Sequence, residues 1–246
     1  MRYYVIGDIH GQIGKLDAAH REITRDRERV GDRNAPVIHL GDLVDRGPDS
    51  RGVIEYLMHG IADGAPWVVL KGNHDRMFAD FVREGANDKR LFTGLTYLHD
   101  GIGGRETLRS YGVVGGILTS QRDMHKAARN AVPEAHLRFL ETLPLFKQTD
   151  SYFFVHAGIE PGVAMEDQVE EDLLWIRGPF LESRKDHGRL VVHGHTPVEF
   201  IEHHGNRVAV DTGAGFGGPL VPAVLEDGAV FALVDEERLP ISPPPV

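Results

Sequence analysis

The first 75 residues repeat one pattern of apolar and polar positions. Three short, nearly continuous apolar runs each end in a Gly-Asp or Gly-Asn turn: Tyr3–Ile6, Val37–Leu40 and Trp67–Leu70. The segments after the first two runs, Lys15–Arg29 and Ser50–Ala62, carry apolar residues at helical spacing. Short apolar runs bounded by glycine are typical of buried strands, and the long spacers between them are typical of crossover helices. The pattern predicts an α/β fold that begins with a parallel sheet.

The rest of the chain divides into a helical middle and a second group of strands. From about residue 77 to 147 the sequence predicts helices and includes a glycine-rich piece, Gly101-Ile-Gly-Gly104. Five later apolar runs predict strands: Tyr152–Val155, Leu190–Val192, Val208–Val210, Val221–Leu225 and Val230–Val234. Their close spacing favours a second, more antiparallel sheet.

The last third of the chain contains a predicted hairpin turn and a proline-rich end. Glu226-Asp-Gly228, between the last two runs, predicts a hairpin. Four prolines within residues 240–246 predict a frayed tail. Because the sequence contains no obvious linker, we expect one domain spanning residues 1–246.

Composition and charge exclude several kinds of site and classes of protein. None of the 246 residues is cysteine, which excludes disulfides, thiolate metal sites and cysteine nucleophiles, so any metal must be bound through nitrogen and oxygen. A net charge of −10 argues against general binding to nucleic acid backbones. No apolar run approaches the roughly 18–20 residues that span a bilayer. The N-terminus has no signal-peptide pattern, and we expect a cytoplasmic protein without membrane contacts.

Metal-compatible side chains follow five of the predicted strands. They are Asp8 and His10, Asp42, Asn73 and His74, His156, and His193 and His195. Because ligands bind outside the carboxyl ends of strands in open α/β sheets, we expect these residues to converge. A single strand-end histidine is more often structural, so the inference rests on five such turns occurring together. This mixture of oxygen and nitrogen donors suits Mn²⁺, Fe or Zn²⁺ better than Ca²⁺ or structural zinc.

The motifs around these residues resemble those of the calcineurin-like metallophosphoesterases, and within them the bacterial and phage branch of the phosphoprotein phosphatase family. The match runs in the expected order from Gly7 to about Gly218. It comprises Gly7-Asp8-Ile-His10-Gly11, Gly41-Asp42-Leu-Val-Asp45-Arg46-Gly47, Gly72-Asn73-His74-Asp75, His156-Ala-Gly158 and Gly194-His195-Thr-Pro197. The resemblance implies a four-layer α/β/β/α fold, in which two packed mixed β-sheets are flanked by helices.

The resemblance also implies a role for each site residue. It assigns two divalent metal ions, for which we favour Mn²⁺ over Fe and Zn²⁺, to Asp8, His10, Asp42, Asn73, His156 and His195. In this assignment Asp42 bridges both ions, and His193 is left as a supporting or structural residue. Two ions about 3.5–4 Å apart depress the pKa of a bound water and bind phosphoryl oxygens. We expect this water to attack phosphorus directly, so that no covalent phospho-enzyme is required.

The remaining assignments concern the substrate. Arg46, Arg177 and Asn73 align with residues that bind the substrate phosphate. His74 aligns with the general acid, and Asp45 aligns with the carboxylate that orients it. Guanidinium groups suit the phosphate because they form bidentate, charge-assisted hydrogen bonds.

Two carboxylates give opposing indications of the substrate. Phosphoprotein phosphatases usually carry Glu after the Asn-His pair, whereas this chain has Asp75, as do related enzymes that split dinucleoside tetraphosphates symmetrically. Those relatives usually lack the carboxylate present here as Asp45. We therefore expect a metal-dependent phosphomonoesterase of the serine/threonine protein phosphatase type, acting on phosphoproteins or small phosphate esters. The alternatives are a symmetrical dinucleoside-tetraphosphate hydrolase and, more weakly, a metal-binding scaffold without activity.

Overall fold

Strands and helices alternate over the first third of the chain, from residue 2 to residue 84, and later elements come in runs of helices and of strands. The computed structural model describes residues 1–91, 94–116 and 119–245. The strands are β1 (Arg2–Ile6), β2 (Val37–His39), β3 (Trp67–Val69), β4 (Phe146–Gln148), β5 (Tyr152–Val155), β6 (Leu190–His193), β7 (Glu202–His203), β8 (Arg207–Ala209), β9 (Ala223–Glu226), β10 (Ala229–Val234) and β11 (Glu237–Ile241). The helices are α1 (Ile13–Val30), α2 (Ser50–Ala62), α3 (Asn73–Glu84), α4 (Gly104–Ser110), α5 (Gln121–Ala131), α6 (Glu134–Thr142), α7 (Glu170–Trp175) and α8 (Gly178–Leu181). No helix within the described ranges combines the length and apolarity needed to cross a bilayer.

Two mixed sheets form the centre of the molecule, as predicted. The first has the strand order β11-β10-β9-β1-β2-β3, in which β1, β2 and β3 are parallel and the other neighbours are antiparallel. The second has the order β4-β5-β6-β8-β7, with β5, β6 and β8 parallel and an antiparallel strand at each edge.

Successive residues of the central strands face opposite layers. In β1, Tyr3 and Val5 pack into the core between the sheets, whereas Tyr4 and Ile6 pack into the core shared with α1 and α2. β5 likewise divides its residues between the central core and an outer core that includes residues of α7 and α8. Because both faces of these strands are buried, their sequences are continuous apolar runs without alternation. The predicted arrangement of two packed sheets flanked by helices is confirmed.

The expectation that the last hairpin belongs to the second sheet is wrong. Its turn is confirmed, with Asp227 and Gly228 at φ values of 51° and 86°, as the tightest hairpins require. However, β9 pairs with β1 and so extends the first sheet. β9 buries residues on both faces, and a place beside β1 provides that burial, whereas the spacing of apolar residues along the chain does not name a partner strand.

The frayed tail begins later than predicted. β11 extends to Ile241 and pairs with β10, with Pro240 opposite Phe231. Proline is compatible with this position because β11 is an edge strand of its sheet. Val246 lies outside the described residues, as do residues 92, 93, 117 and 118 of the predicted helical middle. The described part of that middle contains α3 to α6 and ends in the edge strand β4, which the sequence did not predict.

A buried carboxylate ties α1 to β11. Asp26 is 3% exposed and accepts hydrogen bonds from the Tyr4 hydroxyl at 2.7 Å and from the Arg238 guanidinium at 2.6 Å. Arg29 also contacts this carboxylate. Burial favours the protonated acid, but the hydrogen bonds outweigh it and leave the pKa of Asp26 below its ordinary value. Ionised Asp26 therefore anchors the edge strand to the helical layer.

We expect Asp26→Asn to lower the free energy of unfolding by about 1.5–3 kcal/mol, the range for hydrogen bonds to charged groups. Urea denaturation at pH 7 measures this difference. Because the folded-state pKa is depressed, the contribution is present above the unfolded-state pKa and is lost as the pH falls through the folded value. Wild type and variant should therefore converge in acid.

Asp17→Asn is the matched control, because it removes a carboxylate of the same helix from an exposed pair with Arg21. Exposed pairs of this kind contribute little to stability. If Asp26→Asn and Asp17→Asn have the same urea midpoint, the anchoring role of Asp26 is wrong.

Candidate metal centre

The carboxyl ends of five strands place the predicted ligands in one buried cluster. β1, β2 and β3 of the first sheet and β5 and β6 of the second end there. Seven side chains of the cluster are each no more than 6% exposed: Asp8, His10, Asp42, Asn73, His74, His156 and His195. Both sheets are needed to complete the cluster, because neither sheet alone supplies all of its residues.

Several turns of this cluster have strained backbone. His10, Asp42, Asp45, Arg46 and His195 all have φ values between +48° and +72°. Residues other than glycine avoid this left-handed region because the Cβ atom approaches the backbone. Each such residue costs on the order of 1–3 kcal/mol and persists only where its surroundings enforce it. The strain is therefore concentrated where side chains must turn inwards at strand ends.

Two glycines let the second and third turns touch. A Cβ atom on Gly41 would lie 2.4 Å from the Gly72 nitrogen, and one on Gly72 would lie 2.2 Å from the Asp42 nitrogen. Asp75 fastens this contact, because its two oxygens accept the N–H groups of Leu43 at 2.8 Å and Gly72 at 2.9 Å. The Asp75 side chain is wholly buried, and both of its carboxylate oxygens are hydrogen-bonded to backbone N–H groups. Its identity reflects the fit between the turns and not a contact with substrate.

His156 provides a test of whether these residues fit a metal ion. Its Nδ1 lies 2.9 Å from the Leu40 carbonyl, and its Nε2 lies 2.9 Å from Asn73 Oδ1 and 3.4 Å from Asp42 Oδ1. A neutral imidazole carries one proton, yet both ring nitrogens face acceptors. Whichever way the Asn73 amide is turned, Asp42 remains an acceptor. With Nδ1–H donating to Leu40, a cation beside Nε2 satisfies all of these lone pairs.

The neighbouring histidines direct further donor atoms into the same space. His10 Nδ1 lies 2.8 Å from the Val44 carbonyl, which leaves Nε2 facing Asp42 Oδ2 at 3.6 Å and in contact with the Arg46 guanidinium. His195 Nε2 is buried and has no hydrogen-bond partner among the described residues. Two sets of potential metal-binding atoms result, and both contain Asp42: His10, Asp42 and His74 in one, and Asp42, His156 and His195 in the other. These donor atoms therefore fit divalent metal ions. Because Asp42 belongs to both sets, it could contact an ion in either one.

Burial controls the protonation of the cluster. It lowers the pKa of His10, His156 and His195, so these rings are neutral and have lone pairs available. Burial and neighbouring carboxylates raise the pKa of Asp8. Burial also opposes ionisation of Asp42, whereas positive charge on the surrounding histidines lowers its pKa. A divalent cation would stabilise both carboxylates in the ionised form that metal binding requires.

His74 and Asp45 form a hydrogen-bonded pair beside the cluster. His74 Nδ1–H donates to Asp45 Oδ2 at 2.7 Å, and Asp45 is fully buried. His74 Nε2 is on the cleft side of the ring and accepts from the Arg46 guanidinium at 3.1 Å. This arrangement fixes the ring and leaves one nitrogen directed at the space where a substrate would lie.

The two predicted arginines line the same cleft, which has a volume of about 560 Å³. Arg177 donates to Thr196 Oγ1 and to the His195 carbonyl, each at 3.3 Å. Arg46 lies 4.4 Å from the ring of Phe216, which is 66% exposed. Leu91, Leu95, Ile102 and Trp175 add apolar surface to the cleft. The cleft therefore combines two cations with apolar walls.

Asp211 belongs to the site but was missed from the sequence. It is buried in the Asp-Thr-Gly turn that follows β8, close enough to Asp8 for the two carboxylates to interact. Burial and the charge of Asp42 raise the pKa of Asp211 to about 6. An Asp turn directly after an apolar run is the same signal that identified Asp42. His193, by contrast, faces away from the cluster, with Nδ1 near the Gly194 carbonyl at 3.0 Å and Nε2 near Arg207.

Comparisons with known proteins agree with this geometry. A family model described as calcineurin-like phosphoesterase matches residues 1–225. Serine/threonine-protein phosphatase 1 of Salmonella typhimurium is 27% identical over 91% of each chain. The asymmetrical bis(5′-nucleosyl)-tetraphosphatase PrpE of Geobacillus thermodenitrificans is 28% identical over 89% of each chain. These relatives are almost equally similar to this chain, yet their names specify different substrates.

A solved structure supports the fold. The cold-active protein-tyrosine phosphatase of a psychrophilic Shewanella species superposes with a TM-score of 0.61, covering 98% of this chain and 80% of that one. Its sequence identity is 15%, so the similarity concerns the arrangement of strands and helices and not the substrate.

We expect purified protein loaded with Mn²⁺ to retain two ions per chain, and Asp42→Asn to weaken both sites. The reason is that Asp42 is common to both sets of donor atoms and carries a charge that both ions would share. Elemental analysis after removal of free metal, together with calorimetric Mn²⁺ titration, measures the stoichiometry and the affinities.

Asp49→Asn is the control, since it removes a carboxylate from the same loop while keeping a residue that caps α2. Asp49→Asn should bind metal like the wild type. Full retention of one site by Asp42→Asn would show that Asp42 is not shared.

Proposed function

The chain belongs to the calcineurin-like phosphoesterase family, and we propose that it is a metal-dependent phosphomonoesterase that acts on phosphoserine or phosphothreonine. The observation that carries this proposal is the buried pair of His74 and Asp45 at 2.7 Å. An alkoxide leaving group, such as that of phosphoserine, is a strong base and needs a proton as it departs. The leaving phosphate of a dinucleoside polyphosphate is a far weaker base and needs the proton little.

In this proposal six residues hold two divalent ions: Asp8, His10, Asp42, Asn73, His156 and His195. When bound, such ions supply a nucleophile at neutral pH and polarise the phosphoryl group. The donor set suits Mn²⁺, Fe or Zn²⁺, and we favour Mn²⁺. The hydrogen bonds of His10 and His156 to backbone carbonyls orient their Nε2 atoms towards the site, and Arg46 would leave His10 Nε2 when an ion binds there.

Arg46 and Arg177 bind the substrate phosphate from two sides of the cleft, with the Asn73 amide contributing to the same group. A phosphate oxygen is a better acceptor for Arg46 than a neutral histidine, because it carries charge. Substrate binding would therefore draw the guanidinium away from His74 Nε2. His74 is then free to hold a proton on Nε2 and to deliver it to the leaving oxygen, while Asp45 keeps the ring in position.

A second candidate is hydrolysis of dinucleoside polyphosphates. The exposed Phe216 ring beside Arg46 and the apolar walls around it favour this candidate, because they offer stacking surface for a nucleobase next to the phosphate-binding groups. The name of the Geobacillus relative supports it as well. A silent metal-binding scaffold is the weakest hypothesis, since none of the expected ligands, arginines or acid is missing.

A substrate panel with purified protein and Mn²⁺ tests the proposal. The panel contains a phosphoserine peptide, an aryl phosphate and diadenosine tetraphosphate. We expect the highest kcat/KM among natural-type substrates for the phosphopeptide. Far more efficient cleavage of diadenosine tetraphosphate would establish the second candidate, with ADP alone indicating symmetrical cleavage and ATP plus AMP indicating asymmetrical cleavage. Absence of metal-dependent hydrolysis of all three would overturn the enzymatic proposal.

Replacing His74 tests its role in proton transfer. We expect His74→Asn to lower kcat for a phosphopeptide by about 10²–10⁴-fold, the usual range for loss of a general acid. Metal content should stay near that of the wild type, because His74 hydrogen-bonds to Asp45 through Nδ1 and is proposed to face the leaving group through Nε2. His10 and Asp42 lie close enough to His74 for shared coordination. Loss of an ion in His74→Asn would therefore reassign His74 as a metal ligand.

A further inference from the structure

One part of the helical middle reaches the site beneath the turn that carries Asp45 and Arg46. The Gly103 carbonyl accepts the Arg46 N–H at 3.3 Å, and a Cβ atom on Gly103 would lie 2.3 Å from that nitrogen. A Cβ atom on Gly104 would lie 2.6 Å from the ring of Tyr97. The two glycines thus allow this segment to pack directly against the turn and bring Tyr97 next to it.

The Asp45 carboxylate accepts three hydrogen bonds, and the sheets supply none of the donors. His74 at the start of α3 binds Oδ2 at 2.7 Å. The Tyr97 hydroxyl donates to Oδ1 at 2.6 Å, and the Thr107 hydroxyl donates to Oδ1 at 2.7 Å. With both oxygens bound and no exposure to solvent, the carboxylate has a single orientation. Short, charge-assisted hydrogen bonds of this kind are among the strongest in proteins.

Thr107 also holds the backbone of the same turn. Its Oγ1 accepts the Asp45 N–H at 2.8 Å and lies 2.9 Å from the Ser50 hydroxyl. Asp45 has a φ of 72°, in the region that residues other than glycine avoid. The contacts from α4 and α2 therefore support a strained residue whose side chain must point inwards to reach His74.

Tyr97 is suited to act only as a donor. Burial and the charge of Asp45 raise the pKa of its phenol well above the ordinary value, so the hydroxyl keeps its proton. Its ring packs against Phe81 and Phe78 with centroids 4.9 and 6.3 Å apart, which limits movement of the phenol.

We propose that Tyr97 and Thr107 are positioning residues, which fix the Asp45 carboxylate and through it the His74 ring that faces the leaving group. The inference rests on the proposed function, in which His74 protonates the leaving oxygen. It gives the helical middle a specific role, because the segment from Tyr97 to Thr107 then holds the proton donor in place. Neither residue touches the substrate.

Tyr97→Phe tests the proposal with little change in shape, because it removes only the hydroxyl. The first measurement needs no catalysis: in protein labelled with ¹⁵N-histidine, the His74 Nδ1–H signal is assigned by its loss in His74→Asn. We expect Tyr97→Phe to shift this signal and to speed exchange of the proton with water, because Asp45 is less firmly held.

The second measurement follows hydrolysis of a series of phosphate esters whose leaving groups differ in pKa. We expect Tyr97→Phe to lower kcat for alkyl esters about 10-fold, less than the roughly 10²–10⁴-fold associated with loss of the acid itself. Activated aryl esters should be almost unaffected, so that log kcat falls more steeply with leaving-group pKa. Thr107→Val should act in the same direction, and Thr107→Ser, which retains the hydroxyl, should restore wild-type behaviour.

Tyr111→Phe is the matched control. Tyr111 is also buried and stacks on Phe78 at 5.7 Å, but its hydroxyl lies 2.9 Å from His136 Nδ1 and not on the Asp45 carboxylate. It should change neither the His74 signal nor the dependence on leaving-group pKa. If Tyr97→Phe behaves like Tyr111→Phe in both measurements, Tyr97 is merely structural and the inference fails.

The two proposals fail separately. Wild-type protein without metal-dependent esterase activity would overturn the proposed function, while the His74 signal would still decide whether Tyr97 positions the pair. Active wild-type protein, with an unaltered His74 signal and an unaltered leaving-group dependence in Tyr97→Phe, would overturn only the positioning role.

Discussion

The structure depends on one electrostatic constraint: several acceptor atoms point at the same buried space without enough protons to satisfy them. His156 shows it most clearly, since acceptors face both of its ring nitrogens while burial keeps the ring neutral. Asp42 and Asp8 add carboxylates that are each only 2% exposed. Isolated buried charges are costly, and a bound divalent cation resolves the excess of lone pairs and negative charge together. The site is consequently built for metal ions before any substrate is considered.

Bringing these donors together requires a backbone that few residues adopt, and the layered sheets make it possible. Five site residues have left-handed φ values, so the cluster carries several kcal/mol of local strain by the usual order of ~1–3 kcal/mol for each residue. The strands that precede the turns are buried on both faces and hold the ends of the turns firmly. Contacts such as Asp75 with the Gly72 backbone then leave the turns little freedom to relax. Stability of the core and geometry of the site are thus parts of one arrangement.

Local patterns predicted most of this molecule, and contacts between distant segments account for the rest. Glycine and aspartate directly after apolar runs identified Asp42, because turn chemistry is encoded within a few residues. The same signal at Asp211 was overlooked. Neither the sheet that the last hairpin joins nor the strand that contains Pro240 could be inferred, because apolar spacing shows that a strand is buried but not beside which partner. The hydrogen bond from Tyr97 to Asp45 spans 52 residues and has no local signature.

The residues around the pair of His74 and Asp45 are therefore a better indicator of the substrate than the sequence motifs. Asp75 loses its value as an indicator, because both of its oxygens bind backbone N–H groups and cannot reach a ligand. Metal ions held at this site would not by themselves distinguish between leaving groups, because they would act on phosphorus and the oxygens bound to it. Under the proposed function, discrimination comes from how firmly His74 is held and from what the apolar walls beside Arg46 accept. Relatives with different named substrates can share the metal-binding residues while differing in the residues around His74 and Arg46.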